Sequence, residues 1–313
     1  MHTTIIAYGR QPMLLTRIKP RPQCCSAWLR FMAGCRLEAV FAGQKNLVVC
    51  TVQQLNQGYI MGQLDDKVAI VTGAARGLGR AYAEAMAREG AAVLACDLND
   101  CDETVAAITD AGGRAASAVT DIASMASCTA MAEQAMQRFG RIDVLVNNAA
   151  LYGGLKGARF EQLDEAQWDA VMTVNVKGLW QCCKAAVQPM RDSGGGSIIN
   201  ISSLAAVYGL PYGLDYVASK AAVIGMTRAM SRELGQDRIR VNAVAPSAVM
   251  TEGTEEFFGA KLEKAKTVIA SGQVIPRNLE TDDLTGTIVY LASDSSAFVT
   301  GQTHMVDGGS WFL

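Results

Sequence analysis

The sequence has very little histidine, few cysteines and no long apolar run. Its two histidines, His2 and His304, are too few for a histidine-based metal site or a Ser-His-Asp triad, so we expect no bound metal. The nine cysteines include no Cys-x-x-Cys pair, which argues against a disulfide scaffold. No apolar stretch approaches the roughly 18 residues that a helix needs to span a bilayer. These absences predict a reduced, cytoplasmic protein without a membrane segment.

An excess of charge of one sign is also missing. The formal net charge is −2 and the sequence pI is about 5.8, so we expect neither nucleic acid nor an anionic membrane as a partner. The charge is nevertheless unevenly distributed along the chain. Residues 1–60 contain seven Lys and Arg residues against one acid, whereas residues 61–313 contain 21 basic and 29 acidic residues.

The first sixty residues show no clear periodic pattern. A basic segment that is poor in acids could be a targeting peptide, although Ser26 is its only serine. The alternative, which we favour, is that Met61 is the natural start. We therefore predict that residues 1–60 are a basic extension that is unstructured or not part of the native protein.

From Met61 onward, β-prone runs alternate with helical periodicity. The first of these runs is Lys67–Val71, which has the continuous β-prone pattern expected of a strand buried on both faces. Four similar runs follow, at Ala91–Cys96, Ile142–Val146, Ser197–Ile201 and Arg240–Val244, and stretches such as Gly79–Arg88 and Glu165–Met190 have helical spacing. The alternation predicts a doubly wound parallel sheet, in one α/β domain over residues 61–313 with helices on both faces.

A glycine-rich turn follows the first predicted strand directly. It reads Thr-Gly-Ala-Ala-Arg-Gly-Leu-Gly over residues 72–79 and opens into a helix. Glycines let the backbone approach a pyrophosphate closely, and the helix N-terminus directs free N–H groups at the phosphates. The turn predicts a nucleotide site that involves Gly73, Arg76, Gly77, Leu78 and Gly79.

An acid at the end of the second predicted strand indicates which dinucleotide binds. Asp97, followed by Leu98, lies 24 residues after Gly73. A carboxylate here can accept hydrogen bonds from the ribose hydroxyls and repels a 2′-phosphate, which favours NAD over NADP. Arg76 instead favours NADP, because its side chain could bind a 2′-phosphate. We predict NAD, with NADP as the less favoured alternative.

Three residues with the chemistry of a proton-transfer site follow the fourth predicted strand. Tyr216 and Lys220 are spaced i and i+4 and share a helix face, and Ser203 lies just beyond the strand end. A nearby ammonium lowers the pKa of a phenol, which can then exchange a proton with an alcohol oxygen. A serine hydroxyl can stabilise the charge on that oxygen. The pattern predicts hydride transfer between a nicotinamide and an alcohol or ketone carbon.

With these motifs, residues 61–313 resemble the short-chain dehydrogenase/reductase family, which has a Rossmann fold. The resemblance implies a catalytic role for Asn175, whose side chain would hold a water chain from Lys220. It also implies adenine contacts from Asp121 and Ile122. The family's Asn-Asn-Ala-Gly motif appears as residues 147–150 with Ala150 in place of glycine, and it contains Asn148.

The resemblance extends to the end of the chain. It implies that Val249 meets the carboxamide of the cofactor, that Thr251 bonds its phosphates, and that the protein is a homo-oligomer, usually a tetramer. Ser247 replaces the glycine of the family's Pro-Gly turn.

The loops that follow the predicted strands indicate the substrate. No Arg or Lys falls between residues 204 and 219, so we expect an apolar secondary alcohol or ketone, aromatic or alicyclic. We expect its pocket to include Tyr152, Leu204, Ala205 and Leu210. Two alternatives are an NADPH-dependent reductase of 3-oxoacyl thioesters and a nucleotide-binding protein without catalysis.

Overall fold

The structure is a computed structural model, which describes residues 62–312 and four short strands before them. The chain divides into two units, Met1–Ile60 and Met61–Leu313. In the first unit, Ile6–Tyr8 pairs antiparallel with Gln11–Met13, and Leu37–Phe41 with Val48–Val52. The rest of that unit lies outside the described residues, so the expectation for residues 1–60 stays a prediction.

The second unit is built on a seven-stranded sheet in which every neighbouring pair is parallel. Its strands are β1 (Val68–Thr72), β2 (Ala92–Asp97), β3 (Arg114–Val119), β4 (Val144–Asn147), β5 (Gly196–Ile201), β6 (Ile239–Pro246) and β7 (Thr303–Val306). Their order across the sheet is β3-β2-β1-β4-β5-β6-β7. The order reverses direction between β1 and β4, which opens a crevice at the carboxyl ends of these strands.

Helices cover both faces of this sheet. They are α1 (Gly77–Arg88), α2 (Asp102–Asp110), α3 (Met125–Phe139), α4 (Glu165–Met172), α5 (Leu179–Asp192), α6 (Ala205–Tyr208), α7 (Leu214–Leu234), α8 (Glu252–Phe258), α9 (Leu262–Ser271) and α10 (Asp282–Ala292). In the parts of the chain that the structure describes, no helix is both long and apolar enough to cross a membrane.

Successive residues of the central strands enter two separate cores. Ala69 and Val71 of β1 pack with α1, α2 and α10, whereas Ile70 between them packs with α3, α5 and α7. Because side chains alternate across a strand, an apolar run with no polar interruption can be buried on both faces. The doubly wound α/β fold predicted from the sequence is therefore confirmed.

Two elements differ from the sequence-based expectation. β3 has no counterpart among the predicted strands, because it lies at the sheet edge and its exposed positions break the apolar run. The predicted helix Glu165–Met190 is interrupted by a π-helical turn, Thr173–Gly178. Gly178 lies in this turn against Ile122, where a Cβ would meet the isoleucine side chain.

The closest backbone approach in the glycine turn supplies a stability prediction. A Cβ on Gly79 would overlap the carbonyl oxygen of Gly73, so Gly79→Ala must displace backbone where α1 begins. We expect Gly79→Ala to lower the free energy of unfolding by about 1–3 kcal/mol. Urea denaturation followed by circular dichroism measures this.

Gly286→Ala is the matched control. Gly286 lies in α10 with open space where its Cβ would be, so this change should stabilise the protein by about 0.5–1 kcal/mol. Equal effects of the two substitutions would contradict the packing argument.

Candidate active site

The glycine turn between β1 and α1 is held open by left-handed backbone and by one asparagine. Gly73 and Gly77 have φ of +67° and +56°, a region that favours glycine. The Asn148 side-chain amide donates hydrogen bonds to the carbonyl oxygens of Thr72 (3.0 Å) and Gly73 (3.1 Å). The turn is thereby fixed against the end of β4, with the N-terminus of α1 beside it. This is a cradle that a phosphate can enter.

Asp97 ties the end of β2 to the same turn. Its carboxylate accepts hydrogen bonds from the backbone N–H groups of Ala75 (3.1 Å) and Asn99 (3.1 Å). Leu98, the next residue, is 68% exposed beside it. The carboxylate is therefore positioned at the groove before any ligand arrives.

A groove of about 370 Å³ follows the carboxyl ends of β1, β2 and β4. Predicted cofactor residues that line it are Gly73, Arg76, Gly77, Leu78, Asp97, Leu98, Asp121, Ile122, Asn148 and Thr251. An oriented carboxylate at one end and a glycine cradle in the middle match the ribose and the pyrophosphate of a dinucleotide. The residues present therefore fit NAD or NADP.

An ion pair at the edge of this groove holds Arg76. Its guanidinium donates two hydrogen bonds to the carboxylate of Glu256 in α8, at 2.6 and 3.1 Å. The pairing raises the pKa of Arg76 and lowers the pKa of Glu256. The sequence analysis did not identify Glu256, and no local pattern reveals a partner 180 positions from Arg76.

Helix α7 positions Tyr216 and Lys220 beside the end of β5. The buried Asp215 carboxylate accepts hydrogen bonds from the Tyr216 N–H (2.8 Å) and the Gln167 side chain (2.7 Å), which fixes the first turn of the helix. The Lys220 ammonium donates to the Ile201 carbonyl oxygen (2.8 Å) and lies 5.8 Å from the centre of the Tyr216 ring.

Burial acts on the two ionisable groups in opposite senses. It raises the pKa of Tyr216 well above the ordinary value, and it lowers the pKa of Lys220 to about 8. The nearby Ser203 hydroxyl works against burial and lowers the pKa of Tyr216. At neutral pH the site without a ligand therefore holds a neutral phenol and a mostly charged ammonium.

Asn175 lies behind the Tyr216 helix, in the π-helical turn. Its side chain accepts a hydrogen bond from the Leu151 N–H (2.7 Å) and donates to the Leu151 carbonyl oxygen (3.2 Å) and the Ser219 hydroxyl (3.1 Å). These bonds connect the loop after β4 to α7. The predicted water chain from this side chain to Lys220 stays a prediction.

A second cavity of about 400 Å³ adjoins the groove and contains the three predicted catalytic groups Ser203, Tyr216 and Lys220. All four predicted substrate residues also line it, together with the residues predicted for the carboxamide and the phosphates of the cofactor: Tyr152, Leu204, Ala205, Leu210, Val249 and Thr251. Gly79 and Asn175 do not line either cavity, because both lie behind the surface that a ligand would touch.

Aromatic rings and a cover of two helices close this cavity. Tyr152 stacks on Phe257 of α8, with ring centroids 4.9 Å apart, and lies 5.2 Å from the Tyr216 ring. Helix α9 has no buried residue, and its Ala265, Val268 and Ile269 line the cavity. The sequence analysis did not identify these three residues, although their i, i+3, i+4 spacing marks one face of a helix.

Comparisons with known proteins identify the family of this chain. Residues 73–310 match the family model described as enoyl-(acyl carrier protein) reductase. The chain is 38% identical to the 3-oxoacyl-[acyl-carrier-protein] reductase FabG of Thermotoga maritima over 249 residues, which cover 79% of this chain and 98% of that protein.

Two solved structures share the fold. Carveol dehydrogenase from Mycobacterium avium in complex with NAD has a TM-score of 0.75 and 30% identity, over 80% of this chain and 99% of that one. A candidate NAD(P)-dependent gluconate 5-dehydrogenase from Beutenbergia cavernae, with NADP bound at low occupancy, has a TM-score of 0.73 and 37% identity, over 79% and 97%. This chain therefore belongs to the short-chain dehydrogenase/reductase family and is an NAD(P)-dependent oxidoreductase that acts on CH–OH groups.

Proposed function

We propose that this protein transfers a hydride between NAD(H) and an apolar secondary alcohol or ketone, with Tyr216 as general acid and base. One observation carries the proposal: the Tyr216 phenol, the Ser203 hydroxyl and the buried Lys220 ammonium line the same cavity, which aromatic and aliphatic side chains enclose. The bound nicotinamide supplies or accepts the hydride. The protein must then move one proton on the substrate oxygen.

Tyr216 suits this proton transfer in both directions. In ketone reduction its neutral phenol donates a proton to the substrate oxygen, and the Ser203 hydroxyl hydrogen-bonds that oxygen as negative charge develops. In alcohol oxidation the phenol must first lose its proton, which burial opposes. The nearby Lys220 ammonium stabilises the phenolate and offsets part of that cost. We assign Asn175 the positioning of α7 and of the water chain.

The groove supports NAD as the preferred cofactor. We assign the Asp97 carboxylate, which lines the groove, to the adenosine ribose, where it would repel a 2′-phosphate. The Arg76 guanidinium donates two of its N–H groups to the Glu256 carboxylate, which also neutralises its charge. Asp121 and Ile122 are proposed for the adenine, Val249 for the carboxamide and Thr251 for the phosphates.

The cavity walls support an aromatic or alicyclic substrate. Tyr152, Phe257 and Leu210 present flat or aliphatic surfaces near Tyr216. Lys220 is the one basic side chain among the described residues that line this cavity, and we assign it to the proton transfer. A substrate carboxylate or phosphate would therefore lack a partner. The carveol dehydrogenase similarity supports a cyclic secondary alcohol.

The similarity to FabG favours a second candidate, reduction of a 3-oxoacyl thioester with NADPH. Arg76 would then have to leave Glu256 to meet the 2′-phosphate. The same catalytic groups would serve, since the thioester's 3-oxo group is also a ketone. The two candidates therefore differ in cofactor and in substrate length, not in chemistry.

We also propose a homo-oligomer, with a tetramer as the expected form, located in the cytoplasm. In the family, association usually involves the two long helices and the C-terminal strand, here α4 with α5, α7 and the tail, and large apolar side chains on these elements are exposed: Trp180 in α5, and Trp311 and Phe312 in the tail. Exposed apolar surface of this kind supports association between copies.

A substrate screen tests the proposed function. The purified protein is mixed with NAD or NADP and with aryl and cyclic secondary alcohols, and absorbance at about 340 nm reports the reduced cofactor. The corresponding ketones and acetoacetyl-coenzyme A are tested in the reverse direction. We expect turnover of the alcohols with NAD. Turnover of the thioester with NADPH alone would favour the second candidate, and no turnover in any arm would contradict both.

Tyr216→Phe separates catalysis from binding. Loss of the phenol hydroxyl removes the proton donor, so we expect kcat to fall by about 10²–10⁴-fold. NADH binding, measured by the fluorescence of the bound cofactor, should change less than about twofold, because the ring stays. Tyr212→Phe is the control, since Tyr212 is 65% exposed and does not line this cavity. Retained turnover in Tyr216→Phe would rule out its proposed role.

Lys220→Met tests the cost of the buried ammonium. Because burial lowers the Lys220 pKa from 10.5 to about 8, the folded state binds fewer protons than the unfolded state between these values. Wild-type stability should therefore gain about 2 kcal/mol from Lys220 between pH 7 and about pH 9.5.

The methionine variant lacks this gain, so its stability advantage over wild type should shrink by that amount as pH rises. Chemical denaturation at the two pH values measures the difference. Lys184→Met, at an exposed position in α5, is the control and should show no such pH dependence. A pH-independent difference between Lys220→Met and wild type would contradict the shifted pKa.

A further inference from the structure

One ion pair connects the glycine turn to the helix that covers the two cavities. Arg76 and Glu256 are 180 positions apart in the sequence, yet two parallel hydrogen bonds join their side chains. Such a bidentate pair orients the guanidinium as well as neutralising it. The pair lies at the edge of the dinucleotide groove, because Arg76 lines that groove with Gly77, and Gly253 of α8 lines it opposite.

The charge of this groove depends on the state of Arg76. Among the described residues that line it, Arg76 is the one basic side chain, and Asp97, Asp121 and Glu252 are acidic. A dinucleotide with a 2′-phosphate adds about 1.5–2 negative charges beside Asp97. Arg76 is therefore the one group in the groove that could compensate the phosphate charge.

We infer that Glu256 is a cofactor-specificity residue: by holding the Arg76 guanidinium, it withholds the groove's cation from a 2′-phosphate and so favours NAD over NADP. This inference rests on the proposed function, in which NAD is the preferred cofactor. Selectivity then has two sources. Asp97 repels the 2′-phosphate directly, and Glu256 removes the group that would attract it.

The chemistry of the guanidinium explains why the pairing discriminates. A phosphate and a carboxylate bind the same fork of N–H donors, so the 2′-phosphate must displace Glu256 before it can use Arg76. The displaced carboxylate would remain near the groove and repel the phosphate further. NAD presents a ribose hydroxyl at this position, which requires no displacement.

Neighbouring contacts hold Glu256 in place before a cofactor binds. Its carboxylate lies in the space that a Cβ on Gly153 would need, so a larger residue at position 153 would have to displace the Glu256 side chain. The next residue, Phe257, stacks on Tyr152 with ring centroids 4.9 Å apart. Helix α8 is therefore attached to the loop after β4 as well as to the glycine turn. The side chains of Arg76 and Glu256 remain 58% and 45% exposed, so removing the pair should leave the fold intact.

Binding measurements on Glu256→Gln test the inference. Glutamine has nearly the same shape but no charge, so Arg76 is released without loss of packing. Dissociation constants for NADH and NADPH are measured by fluorescence titration of wild type and variant at low ionic strength. We expect the ratio of the NADPH constant to the NADH constant to fall by about five- to tenfold, with the NADH constant nearly unchanged.

Two further variants distinguish the release of the Arg76 guanidinium from the effect of simply removing one negative charge. Glu255→Gln removes the same charge from the same helix at an exposed position outside the Arg76 pair, and should change the ratio less than about twofold. The double variant Arg76→Gln with Glu256→Gln removes the cation too, so its ratio should return to the wild-type value or above it.

The outcomes distinguish this inference from the proposed function. If wild type prefers NADPH, the proposed cofactor is wrong, whatever the variant does. If wild type prefers NADH but Glu256→Gln leaves the ratio unchanged, or tightens both cofactors equally, the specificity role of Glu256 is overturned. A ratio that falls equally in Glu255→Gln would also overturn it, because the effect would then come from net charge.

Discussion

The parallel pairing of β1 with β4 is the constraint on which the site depends. Residues 69–71 of β1 pair in register with residues 144–146 of β4, and both strands end at the same edge of the sheet. From that edge the chain leaves in opposite directions, because the strand order reverses between them. The glycine turn after β1 and Asn148 after β4 therefore meet across the crevice. The ends of β2, β5 and β6 provide the remaining groups around it.

In this arrangement the strand ends and α7 form a rigid base of the site, the floor, whereas α8 and α9 form a lightly attached cover. At the floor, the buried Asn147 side chain donates to Asn200, which donates to Thr227, so β4, β5 and α7 are joined by hydrogen bonds of 2.9 Å. Lys220 and Ser202 add bonds between α7 and the end of β5. The cover is different: α9 buries none of its residues, and α8 buries Thr254 alone, with one exposed ion pair and one stacked ring as further contacts. Proton transfer needs catalytic groups that are held rigidly, as they are at the ends of β5 and α7. Ligand entry needs a cover that can move, and the weakly packed helices α8 and α9 provide one.

Local patterns were sufficient for the central elements and insufficient at the edges. The strands buried on both faces are visible as apolar runs, since nothing polar interrupts them. β3 was missed because its alternating exposed residues resemble a loop. The π-helical turn at residues 173–178 was missed because helical periodicity does not register the long-range contacts of Asn175 with Leu151 and Ser219 that accompany it.

The sequence by itself determined the alternation of strands and helices, the glycine turn, and the helix face that Tyr216 shares with Lys220. These depend on residues within a few positions of one another, where backbone geometry fixes the spacing. Only the tertiary structure decided what surrounds them: that Lys220 is buried against the Ile201 carbonyl, and that Arg76 meets Glu256. Such contacts join distant segments, and their strength depends on burial and distance. Neither quantity exists until the sheet and its covering helices have assembled.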